Sequence, residues 1–167
     1  MLENTVHSMA GDLAELIRII RDTRIALLTT VGSEGQFHTR PVQTLKAESD
    51  ATLWFFTDWA SPKVIELHDD VRVSLGYANL AKKTYVALSG EGRLLRDPQK
   101  AKELWNIEQR AYYPEGPDDE RLAVLRVAVL RAEYWIAPGR ASYLVAAVRA
   151  GVTGVPAEIV GENHKVK

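Results

Sequence analysis

Cysteine is absent from all 167 residues, which removes disulfides, thiol nucleophiles and thiolate metal sites together and fits a reducing compartment. No apolar stretch approaches the length a membrane span needs, so no membrane segment is expected. The N-terminus MLENTVHSMAG lacks the basic start, apolar core and small-residue cleavage pattern of a secretory signal, and a cytoplasmic protein is expected. A net charge of −1 provides no global field for recruiting nucleic acid or anionic lipid. Any bound anion must therefore be held by a local arrangement. A complete Gly-x-Gly-x-x-Gly, a phosphate loop ending in Gly-Lys-Ser/Thr and a Gly-x-Ser-x-Gly turn are all missing, so ordinary dinucleotide, P-loop and α/β-hydrolase readings lose their usual support. The four histidines, His7, His38, His68 and His164, show no paired ligand spacing, and no metal site is expected.

What is present is the composition of an ordinary globular chain, 46% apolar and 26% charged, long enough for one core and expected to form a single domain over residues 1–167. Asp12 followed by Glu15 reads as a capping box, opening an amphipathic helix to about Arg21 with Leu13, Leu16, Ile17 and Ile20 on one face. Ile25 to Val31 and Phe37 to Lys46 read as a hairpin about the turn Gly32-Ser33-Glu34-Gly35. A third strand runs from Thr52 to Thr57, after a turn at 47–50. Val71, Val73, Leu75 and Tyr77 alternate with polar or small residues in a half-buried strand. Another strand spans Thr84 to about Leu95, and Asp97-Pro98 starts a helix. A proline- and glycine-rich loop at 113–119, a short helix, a strong strand from Val127 to Ile136, and a final helix near 144–151 complete the reading, though 142–145 reads equally as strand. About six strands joined mostly by short turns point to an α+β, mainly β fold, an antiparallel sheet curled into a barrel.

One segment, FFTDWASPKVIEL (Phe55 to Leu67), invites chemistry. Ser61 can cap the following helix by accepting from first-turn amides, worth about 1 kcal/mol, and Pro62 suits the first helical position. Lys63 is the odd member, because a cation in the first turn opposes the helix dipole by about 0.3–1 kcal/mol. It either reaches water or meets an anion. Alternation along the preceding strand puts His38, Arg40, Val42 and Thr44 on one face and Phe37, Thr39, Gln43 and Leu45 on the other. Pro41 argues for an edge, where backbone groups are free to meet a ligand. Arginine, lysine, serine cap and helix amides together make a dianion site of the phosphate type. Trp54, Phe55 and Phe56 are candidates for an adjoining apolar slot, with at least two of them expected in the core.

The runs HTRPVQTLK (His38 to Lys46), LWFFTDWASPKVIEL (Leu53 to Leu67) and VRVSLGY (Val71 to Tyr77), followed by YVALSGEGRLLRD, ELWN, YYPEGPDD, AEYW and the tail GENHKVK, resemble the pyridoxamine 5′-phosphate oxidase-like flavoproteins with the FMN-binding split β-barrel fold. The branch they resemble is that of general stress protein 26. Each motif is short, but their order and spacing run through nearly the whole chain. The resemblance implies FMN as cofactor. It assigns Arg40, Lys63 and Ser61 to the FMN phosphate, Thr57 to phosphate and ribityl, and His38, Thr39, Arg40, Pro41, Val42, Gln43 and Thr44 to the strand edging the ring, with Tyr85 as a further cofactor contact; Phe56, from the apolar slot, is added to these as a candidate. It also implies a homodimer with flavin between subunits, for which Trp135 or aromatic residues of the 105–113 region are candidate walls from the second chain.

Two departures matter. Pro62 stands where the oxidases often carry a second basic residue, and the C-terminal arginine-rich segment that holds pyridoxamine phosphate is not recognisable, so vitamin B6 oxidation is not implied. The resemblance supports an FMN-dependent oxidoreductase of unknown substrate, or a non-catalytic FMN-binding stress protein that stores or senses flavin. Haem or a deazaflavin in the same barrel is a third reading. No residue marks itself as an essential acid or base; His38 is the nearest titratable candidate.

Overall fold

The computed structural model describes residues 2–138, 150 and 162–166, with side chains described from Asp12 onward. Helix α1 (Leu2–Thr23) leads into the hairpin β1 (Ile25–Val31) and β2 (Phe37–Gln43), then β3 (Lys46–Ala47), β4 (Thr52–Asp58), α2 (Pro62–Asp69), β5 (Arg72–Asn79) and β6 (Thr84–Leu95). Helix α3 (Pro98–Leu104), two 3₁₀ turns (Ile107–Ala111 and Gly116–Asp118), β7 (Leu122–Ile136) and β8 (Glu162–Val166) follow. All strand pairings are antiparallel, in the order β2-β1-β5-β6-β7-β4-β3, with β8 beside the far end of β7.

That order requires the sheet to curl. Strands β2 and β3 lie at opposite ends of the seven-strand path, yet Thr44 and Leu45 alone separate them in sequence. Laid flat, six strand spacings would part the edges by roughly 29 Å, whereas the three residue steps from Gln43 to Lys46 reach about 11 Å at most. The strand expected to run unbroken from Phe37 to Lys46 is therefore two strands. The break comes at Thr44, whose amide donates to the Arg24 carbonyl (2.7 Å) as the chain crosses from one edge to the other.

Inside the curl, α1 inserts Leu16, Ile17, Ile19 and Ile20 against Leu28, Leu53, Phe55, Leu75, Leu88 and Leu125. A smaller cluster on the other side of β4 and β7 joins Trp54, Leu122 and Val124 to Ala101 and Leu104 of α3 and to Tyr113. Strand β4 is apolar without alternation because both of its faces are covered. Helix α1 begins upstream of the expected capping box. Asp12 lies within it, where its Oδ1 accepts from the Tyr134 hydroxyl (3.2 Å) and pairs with His164 (3.0 Å), and Glu15 pairs with Arg18. Acidic residues three apart mark a helix face as readily as a helix start.

Other boundaries also moved. Strand β7 starts at Leu122, with no helix between the 113–119 loop and the strand, because Leu122 and Val124 face one core cluster and Leu125 and Val127 the other. A short apolar run of that kind has no period that separates strand from helix. Strands β3 and β8 were not expected, which raises about six strands to eight among the described residues. The final helix or strand expected over 142–151 falls essentially outside the described residues. No described helix is long and apolar enough to cross a membrane.

Candidate functional site

Strand β4 ends at the start of α2, and this corner gathers the polar side chains the sequence singled out. Ser61 has the extended backbone of an N-cap (φ −74°, ψ 145°), and Pro62 takes the first helical turn. The Ser61 hydroxyl makes no cap bond, contrary to expectation: the Val64 amide is already taken by the Ser61 carbonyl (3.0 Å), and the hydroxyl turns to Lys63 instead. Lys63 Nζ donates to Thr57 Oγ1 (2.7 Å) and Ser61 Oγ (3.2 Å). Both partners are neutral. Burial and the nearby Arg40 guanidinium hold the Lys63 ammonium below its ordinary pKa, with only partial relief from Asp58 and Glu66.

Arg40 is held differently. Its Nη2 donates to Glu66 Oε2 (2.7 Å) and its Nη1 to the Thr30 hydroxyl, which itself donates to Glu66 Oε2. The other carboxylate oxygen of Glu66 takes His38 Nδ1 at 2.5 Å. Burial works against the charge on Glu66, but the Thr30 hydroxyl, His38 and Arg40 together outweigh it and keep the carboxyl below its ordinary value. Sequence reasoning passed over Glu66. Its signal was present, since Glu66 lies three residues after Lys63 and returns to the same helix face one turn on.

A depressed carboxyl pKa stabilises the fold above the ordinary glutamate range, and that contribution is lost as pH falls through the lowered value. Glu66→Gln is accordingly expected to cost about 1–3 kcal/mol at neutral pH, with the gap to the parent protein narrowing through the acid window. Urea denaturation at a series of pH values checks this, and a gap that stays constant into acid would contradict it.

Beside Lys63 opens a cleft of about 410 Å³, within the size range of small-molecule sites. Of the residues predicted for the site, Pro41, Val42, Gln43, Phe56, Thr57 and Lys63 line it. It is completed by Ile25, Asp58, Gln109, Tyr112 and Tyr113. Phe56 stacks edge-on with Tyr113 (6.1 Å) and tilts against Trp105 (6.2 Å), while Trp54 and Phe55 belong to the core. Burial, with Asp58 and Asp119 nearby, pushes the Tyr113 phenol up to about 12. Gln109, buried in the first 3₁₀ turn, donates to Gln43 Oε1 (3.2 Å), and Gln43 in turn approaches Glu108 (3.4 Å). Tyr112 and Tyr113, expected as candidates for a partner's wall, line this chain's own cleft.

The remaining predicted residues stand elsewhere. Thr44 is buried and bonded to the Tyr77 hydroxyl (2.8 Å); Thr39 pairs with Thr29 across the hairpin (2.8 Å). Tyr85 and Trp135 face each other across β6 and β7. Gln43 pairs with Ile25, Ala26 with Tyr77, and Ala78 with Tyr85, so Gln43, Ile25, Ala78, Tyr85 and Trp135 form one cross-strand row on the outward face of the sheet. Tyr85 is two strands from Ile25, about 10 Å away, on an apolar surface that adjoins the cleft. That surface exposes Ile25 (53%), Leu27 (55%), Phe37 (75%) and Tyr85 (37%).

The family described as "Pyridoxamine 5′-phosphate oxidase like" matches residues 11–158. Protein bli-3 of Neurospora crassa is 26% identical over 156 residues, covering 87% of this chain and 75% of the relative. A Clostridium acetobutylicum protein related to general stress protein 26 superposes with a TM-score of 0.69 over 94% of this chain and 96% of its own, at 18% identity, a likeness that speaks to the fold alone. The general stress FMN/FAD binding protein of Xanthomonas citri is 27% identical, with a TM-score of 0.66 over 75% of this chain and 88% of its own. The curled antiparallel sheet with its flanking helices is thus the split-barrel architecture expected from the sequence.

Proposed function

The chain belongs to the pyridoxamine 5′-phosphate oxidase-like family, and from that premise we propose that it is a single-domain, FMN-binding flavoprotein of the general stress protein 26 type, acting as a flavin-dependent oxidoreductase. One observation carries the reading: Lys63 is a half-buried cation whose bonded partners are two hydroxyls, set beside the second cation Arg40. A phosphate dianion there offsets the charge of Lys63, with Arg40, already paired to Glu66, as a second donor beside it, and the Ser61 and Thr57 hydroxyls can turn to it. The ring then fits the cleft between the Pro41–Gln43 strand and Phe56, Tyr112 and Tyr113, with the Gln43 and Gln109 amides offering donors and acceptors to its polar edge. Bound flavin supplies the redox chemistry; the protein supplies orientation, charge and exclusion of water. The Xanthomonas citri relative, described as binding FMN or FAD, supports the cofactor class. The exposed apolar face beside the cleft supports a homodimer in which Tyr85 and Trp135 of each chain approach the flavin site of the other.

A second reading, flavin storage or sensing without turnover, is favoured by the lining of the cleft: among the described residues its titratable groups are Asp58, Lys63, Tyr112 and Tyr113, with no histidine. One experimental series decides. Pure protein is titrated with FMN and with riboflavin by fluorescence quenching, sedimented with and without FMN, and assayed for NADH and NADPH oxidation. Tight FMN binding, a dimer, and turnover above the rate of free FMN are expected. A rate equal to that of free FMN favours storage or sensing over turnover with those donors. A protein that ignores FMN, or carries a haem spectrum as purified, overturns the flavin reading, and a monomer in both conditions overturns the dimer.

A further inference from the structure

We infer that Glu66 is a positioning residue for the phosphate grip, acting through Arg40, which it locks in place before a ligand arrives. The inference rests on the reading of the Lys63 corner as a phosphate site and adds a residue to which no role in that site has been given. Glu66 is 7% exposed, yet it is a charged residue in a helix with solvent on its other side. Burial on that scale is costly for a carboxylate unless its oxygens are matched by donors. Here they are, by Thr30, His38 and Arg40. Because an ionised carboxylate only accepts, His38 must carry a proton on Nδ1.

The consequence lies at Arg40. Both terminal nitrogens of its fork are tied, Nη2 to Glu66 and Nη1 to Thr30, and Thr30 is fully buried on the central side of the hairpin. The guanidinium is therefore fixed in a plane, its remaining N–H groups have no partner among the described residues, and it lies close enough to Lys63 to lower the pKa of that lysine. A pre-oriented fork loses less rotamer freedom when it binds an anion than a free arginine does. Charge alone argues the opposite way, since Glu66 cancels one of two positive charges and would oppose a nearby dianion. The two roles differ in sign, and that makes them separable.

The test measures dissociation constants for FMN and for riboflavin, which lacks the phosphate, in the parent protein, Glu66→Gln, Arg40→Ala and the double variant. If Glu66 positions Arg40, Glu66→Gln weakens FMN about tenfold although it makes the site more positive. Riboflavin binding stays unchanged, and Glu66→Gln adds no further loss once Arg40 is alanine. FMN binding that is unchanged or tighter in Glu66→Gln overturns the inference, and so does an equal loss for FMN and riboflavin, which marks a merely structural role. The phosphate reading survives either result if Arg40→Ala still loses its preference for FMN over riboflavin. A parent protein that binds both flavins equally overturns that reading and the inference with it. Should Glu66→Gln fail to fold, Glu66→Asp keeps the charge but withdraws the carboxylate, and the same selective loss of FMN is expected. Nitrogen-edited NMR of the parent protein gives a readout free of substitution: separate, slowly rotating Arg40 Nη signals are expected before FMN is added, and a single averaged signal would overturn the positioning role.

Discussion

Lys63→Ala is expected to weaken FMN binding by about 1.5–3 kcal/mol, roughly ten- to hundredfold in Kd, with riboflavin affinity nearly unchanged. The ammonium is half-buried and, among the described residues, bonded only to the Thr57 and Ser61 hydroxyls. Little has to be broken for it to turn to a phosphate, and its desolvation is already spent in the folded protein. Arg40→Ala is expected to cost a similar amount in affinity but also stability, because it takes the arginine from the buried Glu66 carboxylate and leaves it Thr30 and His38. Lys63→Glu should exceed both, since it replaces attraction by repulsion. Pro62 beside Lys63 brings no charge of its own, so each single loss should tell. Fluorescence quenching at constant ionic strength measures these differences. Unchanged FMN affinity in both alanine variants would remove the phosphate assignment.

The largest structural effect is expected at Gly90. Strands β6 and β7 form the long central ribbon of the sheet, and their register shifts at a bulge between Ser89 and Gly90. A Cβ at Gly90 would sit 2.2 Å from the Ala128 carbonyl oxygen and 3.1 Å from Val129 Cα, both backbone atoms that can yield only if the ribbon re-registers. Gly90→Val is therefore expected to cost about 3 kcal/mol or more, seen as loss of the cooperative melt or of folded yield. Gly92 lies two residues on along the same strand, but a Cβ there meets side-chain ends, Leu67 Cδ2 at 2.9 Å and Val73 Cγ1 at 3.1 Å. Those can rotate, and Gly92→Ala should cost about 1–3 kcal/mol. A Gly90→Val protein as stable as the Gly92→Ala protein would contradict this account of the bulge.

Much of the architecture was legible from local pattern. The period-two burial of β5, with Val73, Leu75 and Tyr77 inward, follows its sequence alternation, and Asp97 caps α3 by accepting from the Lys100 amide (2.9 Å). Pro41 correctly signalled an edge, since β2 ends the strand order. Boundaries were lost where no local rule applies: Leu122 to Leu125 is apolar at every position, and β8 is a polar strand whose place depends on the exposed edge of β7. Of the residues that line the cleft, Lys63, Phe56 and Pro41 drew attention by residue type and position, and Thr57, Val42 and Gln43 through the family resemblance. Gln109 and Glu66 were not singled out, and Tyr112 and Tyr113 were expected on a partner's wall, because which element a side chain meets is set by contacts distant in sequence.

By itself the sequence determined most of the strands, the turns between them and the starts of α2 and α3, and the presence of two cations, Arg40 on a strand and Lys63 at a helix start. Those features depend on steric preferences, alternation and capping within a few residues, which act before any long-range contact forms. Only the tertiary structure decided which of the two cations is already neutralised. Arg40 and Glu66 are 26 residues apart, and they meet because α2 packs beneath the β1–β2 hairpin when the sheet curls. Burial in that contact makes pairing compulsory for Glu66, and with Arg40 so committed, Lys63 is the cation whose partners among the described residues are hydroxyls alone.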